Sequence, residues 1–86
     1  MSEADARLLA LGYKLYASDP CLYPYPYVYA SIGAEDGVHK MLELDARYHT
    51  ITLYADDNIF LHLPIPYELL YAAQDKLKEL EETKAA

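Results

Sequence analysis

Tyrosine recurs at every second position of residues 22–30, and small or aliphatic residues fill the gaps. This is the period of a β-strand, whose successive side chains point to opposite faces of a sheet. Pro24 and Pro26 lack an amide hydrogen, and both lie in the stripe opposite the tyrosines. We therefore predict an edge strand that turns its missing donors toward solvent and resists pairing with another chain. Its tyrosines share one face and include Tyr25, Tyr27 and Tyr29.

Apolar residues recur at helical spacing near both ends of the chain. The first pattern predicts a helix from Ser2, a hydroxyl cap, to Ala17, because Pro20 pushes the preceding residue out of the helical region. The second follows Pro66, a residue favoured at helix starts. The predicted buried stripes are Ala4, Leu8, Leu11 and Leu15 in the first helix, and Leu70, Ala73, Leu77 and Leu80 in the second.

Turn sequences divide the middle of the chain into four strands. The loop Glu35-Asp36-Gly37, with glycine in the left-handed position, predicts that Ala30 pairs with Leu42. A two-residue loop is the alternative, and it would place Tyr29 beside Leu44. Turns at 45–48 and 56–58 complete an antiparallel meander. The predicted pairs across these turns are Leu42 with Ile51, Leu53 with Leu61, and Ile51 with Leu63.

These registers gather the aliphatic residues on one sheet face, which both helices need to cover. The prediction is therefore a single α+β domain over residues 1–86. Its architecture is a two-layer sandwich, in which a four-stranded antiparallel β-meander carries the N- and C-terminal helices on one face.

The opposite sheet face is expected to be uncovered and rich in aromatic residues. Tyrosine and methionine supply large contact areas at interface cores, so this face is a candidate binding surface. The other interpretation is that tyrosines favour strands and sit there half exposed. The candidate binding residues are Tyr25, Tyr27, Tyr29, Met41, Thr52, Tyr54, Phe60 and His62.

The charge balance bears on the kind of partner. Seven Lys and Arg against fourteen Asp and Glu give a net charge of -7, which disfavours a nucleic-acid backbone and attracts a basic protein. The first and third hairpin loops should meet at one end of the sheet. Their carboxylates form either a solvated rim or a surface that steers a basic partner; they are Glu35, Asp36, Asp56 and Asp57.

No catalytic, cofactor or metal motif is evident. His39 and His62 lie on strands two apart, about 10 Å, and His49 faces the helices, so we expect no shared zinc site. Cys21 is the single cysteine, which fits a reducing compartment. The apolar runs are too short for a membrane span and the N-terminus is acidic, so we expect a cytoplasmic protein. Because no catalytic motif is evident, we expect no enzymatic activity.

The general profile, a short acidic α+β chain without a catalytic motif, looks like that of small phage or plasmid inhibitors of nucleic-acid machinery, including some anti-CRISPR proteins. The likeness is one of composition and transfers no residue. The expected function is a protein-interaction module that engages a basic partner through its acidic loops and tyrosine face. The alternative is a protein, natural or designed, whose tyrosines line a small-molecule pocket. We also expect a homodimer in which two such faces stack.

Overall fold

The computed structural model describes residues 2–17, 26–33 and 39–85. One antiparallel sheet has the strand order β1-β2-β3-β4-β5, and the buried cluster joins one of its faces to both helices. The α+β prediction is thus confirmed, with five strands in place of four. The elements are α1 (Glu3–Ala10), β1 (Tyr13–Ala17), β2 (Pro26–Ser31), β3 (Lys40–Asp45), β4 (Thr50–Ala55), β5 (Asn58–His62) and α2 (Tyr67–Ala85).

The first helix begins as predicted but ends much earlier. The Ser2 side chain accepts a hydrogen bond from the Asp5 amide at 3.1 Å, which confirms the cap. The helix ends at Ala10 because Gly12 has a φ of 92°, a left-handed conformation that glycine adopts readily. The prediction of helix through Ala17 is therefore wrong, and the residues after Gly12 form β1.

The tyrosine-rich strand β2 is an interior strand, so the predicted edge position is wrong. It lies between β1 and β3. The Ile32 amide donates to the Gly12 carbonyl at 2.8 Å, so by alternation the even-numbered groups of β2 point toward β1. The last pair with β1 is Ala17 with Val28, and Pro26 lies beyond it, where no β1 residue needs a donor. Pro24 lies outside the described residues.

The pairing of β2 with β3 is offset by one residue from the preferred predicted register and by two residues from the alternative. Tyr29 pairs with Leu42 and Tyr27 with Leu44, whereas the preferred prediction paired Ala30 with Leu42. Because side chains alternate, an offset of one residue exchanges the two faces of a strand. The stripe of Tyr27 and Tyr29 therefore faces the helices.

The pairing of β3 with β4 is offset by two residues, so its faces stay as predicted. Leu42 pairs with Leu53, whereas the prediction placed it opposite Ile51. The cause is that the four-residue turn lies at residues 46–49, one residue later than the predicted turn at 45–48. The Asp45 side chain accepts from the Arg47 amide at 2.9 Å, and His49 takes a left-handed φ of 55°.

The pairing of β4 with β5 starts from a two-residue turn and then shifts register. Ala55 pairs with Asn58, and further along Tyr54 pairs with His62. The Asn58 side chain accepts from the Phe60 amide at 3.1 Å within this irregular stretch. The Leu63 amide donates to the Leu53 carbonyl at 2.7 Å, so the predicted pairs of Leu53 with Leu61 and Ile51 with Leu63 are wrong.

The core lies between the helices and the Tyr29 face of the sheet. On α2, the predicted Ala73 and Leu77 are buried, whereas Leu70 and Leu80 are half-buried. The buried face of α2 is rotated by about one residue relative to the predicted stripe, and it includes a charged residue, Lys76. The central cluster consists of Leu8, Tyr29, Leu42, Leu44, Leu53, Leu69, Ala72, Ala73 and Leu77.

Candidate functional site

The sheet face turned away from the helices carries one row of side chains across all five strands. The successive pairs join Lys14, Ala30, Met41, Tyr54 and His62. Met41 is only 8% exposed, whereas Lys14 and His62 are exposed. Of the predicted binding residues, Met41, Tyr54 and His62 thus share a face as expected.

The remaining predicted binding residues are scattered. Thr52 lies on the same face, opposite Glu43, and Phe60 is 88% exposed in the irregular part of β5. Tyr29 is only 1% exposed and Tyr27 packs against the core, so the expectation that they lie on the uncovered face is wrong. The physical reason is the one-residue offset of β2. Tyr25 lies outside the described residues.

A partly buried polar cluster connects α1, β2 and α2. The Tyr29 hydroxyl donates to Asp5 Oδ1 at 2.6 Å, and the Lys76 ammonium donates to Asp5 Oδ2 at 3.1 Å. Ser2 also donates to Oδ2, at 3.0 Å. The same Lys76 ammonium donates to Glu79 at 2.9 Å and lies 5.6 Å from the centre of the Tyr27 ring. The cluster therefore ties the two helices to the central sheet.

The electrostatics keep this cluster ionised around Asp5. Burial alone raises the pKa of Asp5, but hydrogen bonds from Tyr29, Lys76 and Ser2 outweigh it and hold that pKa below its usual range. Burial and the bond to Asp5 raise the pKa of Tyr29. Burial lowers the pKa of Lys76, but its bonds to Glu79 and Asp5 raise it more. At neutral pH, Tyr29 is a neutral donor to an Asp5 carboxylate.

A cavity of about 300 Å³ lies between α1 and β1, beside this cluster. We call it the Asp5 cavity. Among the described residues that line it, Asp5 supplies the one carboxylate, and the others are mostly aliphatic or aromatic. The lining residues are Asp5, Leu9, Tyr13, Lys14, Leu15 and Tyr29.

Strand β1 is the outer strand of the sheet, and among the described residues it pairs with β2 alone. Because Gly12 is hydrogen-bonded to β2, alternation directs the Lys14 backbone groups toward β2 and those of Leu15 outward. Leu15 is 44% exposed, and Tyr16 and Ile32 are exposed too. A second groove, which we call the β1 groove, lies beside this edge; it is lined by Lys14, Leu15, Tyr16, Ala30, Ser31 and Ile32.

Neither the strand β1 nor the buried position of Lys76 was predicted from the sequence, although the sequence contains a signal of each. Gly12 followed by the alternating Tyr13–Ala17 is typical of a helix end and a strand. Lys76 stands directly before Leu77 in the apolar stripe of α2, and such a charge inside a stripe indicates a buried partner. Its partner, Asp5, is 71 residues away in the chain, and no local pattern could connect the two.

The predicted acidic cluster is only partly described. Asp56 and Asp57 are exposed in the turn between β4 and β5, whereas Glu35 and Asp36 lie outside the described residues. His49 is paired with Glu81 of α2. Within residues 2–17, 26–33 and 39–85, no three His, Cys, Asp or Glu side chains are grouped so as to hold a metal ion.

Comparisons of the chain with known protein families, with curated proteins and with solved structures found no match. None of the described helices combines the length and apolar character needed to cross a membrane.

Proposed function

We propose that the chain is a non-enzymatic protein-interaction module that binds an extended basic segment of a partner at the outer edge of β1. The observation that carries this proposal is the edge itself. Leu15 turns its backbone donor and acceptor outward, and the Asp5 cavity and the β1 groove flank the same residue. Strand addition uses these elements, because main-chain hydrogen bonds give affinity and flanking pockets select side chains.

The net charge of -7 supports a basic partner, since complementary charge accelerates encounter and disfavours acidic competitors. Asp56 and Asp57 are exposed and can contribute to this attraction. By composition, the partner would belong to a nucleic-acid-handling machinery that the module inhibits. The single Cys21 supports a partner in the reducing cytoplasm.

Regular pairing at the β1 edge is short. The register shifts between Leu15 and Ala17, which places a bulge at Tyr16. Bulges end pairing and twist an edge away from further strands. An added strand therefore pairs beside Leu15 and stops at the bulge, so the edge does not invite open-ended aggregation.

The test compares variants that differ in one backbone donor. Leu15→Pro removes the outward amide hydrogen and leaves the groups that face β2, whereas Leu15→Ala removes side-chain atoms but keeps the donor. Both are used with the wild type to probe an array of basic, strand-forming peptides. We expect Leu15→Pro to lose binding by at least tenfold and Leu15→Ala to lose much less. Unchanged binding by Leu15→Pro would exclude the β1 edge.

The sheet face that bears Met41, Thr52, Tyr54 and His62 is the competing surface for a partner. Tyr54→Ala together with Phe60→Ala removes one aromatic ring of this face and the exposed ring of Phe60 on β5. We expect this double variant to retain the peptides that the β1 edge binds. Loss of binding only in the double variant would move the proposed interface to the sheet face.

A homodimer remains part of the proposal, with two copies stacked through this sheet face about a two-fold axis. The exposure of Phe60, 88%, supports it. We expect Tyr54→Glu to dissociate the dimer in sedimentation experiments, because it places a charge at the contact. A wild type that sediments as a monomer at high micromolar concentration would overturn the dimer.

The second candidate function is binding of a small organic molecule in the Asp5 cavity. Its support is the cavity volume, about 300 Å³, and the two tyrosines in its lining, Tyr13 and Tyr29. A library of small molecules should then raise the melting temperature of the wild type but not of a variant with Leu9→Lys in the lining. No response across the library would leave the peptide-binding proposal in place.

A further inference from the structure

We infer that the Asp5 cavity receives one lysine or arginine side chain of the segment bound at the β1 edge. This inference rests on the proposed function and names the residue that the module selects. The cavity lies beside Leu15, whose backbone groups point outward from the edge. An added strand directs alternate side chains to this same helix-facing side of the sheet. The side chain beside Leu15 is therefore directed at the cavity.

The cavity lining matches a long cationic side chain. Leu9, Tyr13 and Leu15 offer apolar surface, and among the described lining residues Asp5 is the carboxylate. Lys14 also contributes to the lining, but by strand alternation its side chain belongs to the opposite face of the sheet. Lysine and arginine carry an apolar stem and a charged head, so they can use both parts of such a cavity. At about 300 Å³ the cavity is at the lower end of small-ligand sites, which suits a single side chain.

Asp5 has an acceptor position left for such a head group. Its Oδ2 accepts from Ser2 and Lys76, whereas among the described residues its Oδ1 accepts from Tyr29 alone. A carboxylate oxygen accepts about two hydrogen bonds. The existing bonds also hold the carboxylate in one orientation, so a cation entering the cavity meets a preorganised acceptor.

The charges of the cluster favour a further cation. The single ammonium of Lys76 bonds to both Asp5 and Glu79. The low pKa of Asp5 keeps its carboxylate charged at neutral pH. A lysine or arginine head placed at Oδ1 brings a positive charge next to that carboxylate, which favours its binding.

The test uses fluorescein-labelled octapeptides of alternating valine and threonine that differ only at one central position. That position carries lysine, arginine, norleucine or glutamate, and binding to the wild type is followed by fluorescence anisotropy. Norleucine keeps an unbranched apolar stem and lacks the charge. We expect the lysine and arginine peptides to bind at least tenfold more tightly than the norleucine peptide. Equal affinity of the lysine and norleucine peptides would overturn the inference.

Two variants test whether the preference for the lysine peptide arises in the Asp5 cavity. Asp5→Asn removes the charge, and we expect the preference for lysine over norleucine to fall below about threefold. Because Asp5 also supports the fold, Leu9→Lys is the second variant; it changes an exposed lining residue and places a competing ammonium at the cavity. Tyr71→Lys is the matched control, because it adds the same charge in a groove between α1 and α2. A lysine preference that survives Leu9→Lys would overturn the inference.

The peptide series separates failure of the cavity from failure of the proposed function. If the norleucine and lysine peptides bind equally and Leu15→Pro weakens both, the β1 edge stands and the cavity inference falls. If no peptide binds the wild type, the proposed function falls with it. Free n-butylamine serves as a last probe. Stabilisation by n-butylamine without any peptide binding would assign the cavity to a small amine and overturn the peptide inference.

Discussion

Tyr29→Phe tests the polar cluster of Asp5, Tyr29 and Lys76 with a small change in one side chain. The substitution removes one hydroxyl and leaves a ring that is 1% exposed in the wild type. That hydroxyl donates to Asp5 Oδ1 at 2.6 Å, a short bond to an ionised acceptor. The variant therefore loses one hydrogen bond without opening a large cavity.

The expected loss follows from the kind of bond and its solvent exposure. A hydrogen bond to a charged group contributes about 1.5–3 kcal/mol to the free energy of unfolding. The Asp5 side chain is 23% exposed and keeps its bonds to Ser2 and Lys76, so water can partly replace the lost donor. We therefore expect a loss of about 1.5–2 kcal/mol, which lowers the melting temperature of a domain of this size by about 10 °C.

The pH dependence gives a second, independent signature. The folded-state pKa of Asp5 is lowered, so its contribution is present above the unfolded-state pKa, about 4, and is lost as the pH falls through the folded value. The pKa of Tyr29 is raised above its ordinary value of 10.0, so its contribution is present below that value and is lost as the pH rises. The difference between wild type and variant should form a plateau between about pH 5 and pH 9.

Urea unfolding followed by circular dichroism, at several pH values, measures this difference. Tyr54→Phe is the matched control, because the described residues show no hydrogen bond from the Tyr54 hydroxyl, and we expect a change within about 0.5 kcal/mol. The reasoning would be refuted if Tyr29→Phe and Tyr54→Phe had equal effects at pH 7. It would also be refuted if the Tyr29→Phe loss stayed constant as the pH was lowered from the unfolded-state pKa of Asp5 to the acid limit of folding.

Three further substitutions test the fold by urea unfolding. Lys76→Met should lose about 1–3 kcal/mol, because two carboxylates lose an ammonium that is 7% exposed; Lys78→Met, on the exposed face of α2, is the control, and equal losses would exclude a special role of Lys76. Gly12→Ala should lose about 1–2 kcal/mol because its φ is 92°, whereas Gly33→Ala, with open space around it, should change little. A tolerated alanine at Gly12 would contradict the strained turn. Leu42→Ala should lose about 2–5 kcal/mol, and a loss below 1 kcal/mol would argue against its place in the central strand.

The overall class could be predicted from the sequence because it depends on local periods. Helical spacing at both ends and turn sequences between short strands are sufficient for an α+β chain with an antiparallel meander. The cap at Ser2 and the position of α2 after Pro66 were also local signals. Each depends on a few neighbouring residues and on backbone preferences that persist in most environments.

Gly12 was a local signal for the boundary between α1 and β1, but the helical spacing of the leucines outweighed it in the prediction. Leu8, Leu11 and Leu15 keep helical spacing, although Leu15 belongs to a strand. Gly12 allows the left-handed turn, and pairing with β2 then stabilises the residues that follow it as a strand. Propensity alone could not decide between the two states, because the deciding hydrogen bonds come from a strand distant in the chain.

The candidate site depended on decisions that only the tertiary structure makes. The register of β2 on β3 differs by one residue from the preferred prediction, and this difference turns Tyr27 and Tyr29 toward the helices. The alternative two-residue loop placed the tyrosines on that face, but its register was two residues away. The packed structure favours this register because the Tyr29 ring fills the space below the helices and its hydroxyl reaches Asp5. The sequence by itself determined the start of α1, the strands β2 to β5 and α2, whereas β1 emerged only in the folded sheet. Which face is buried, and which charges meet there, was decided by packing volume and by the need to pair every buried polar group.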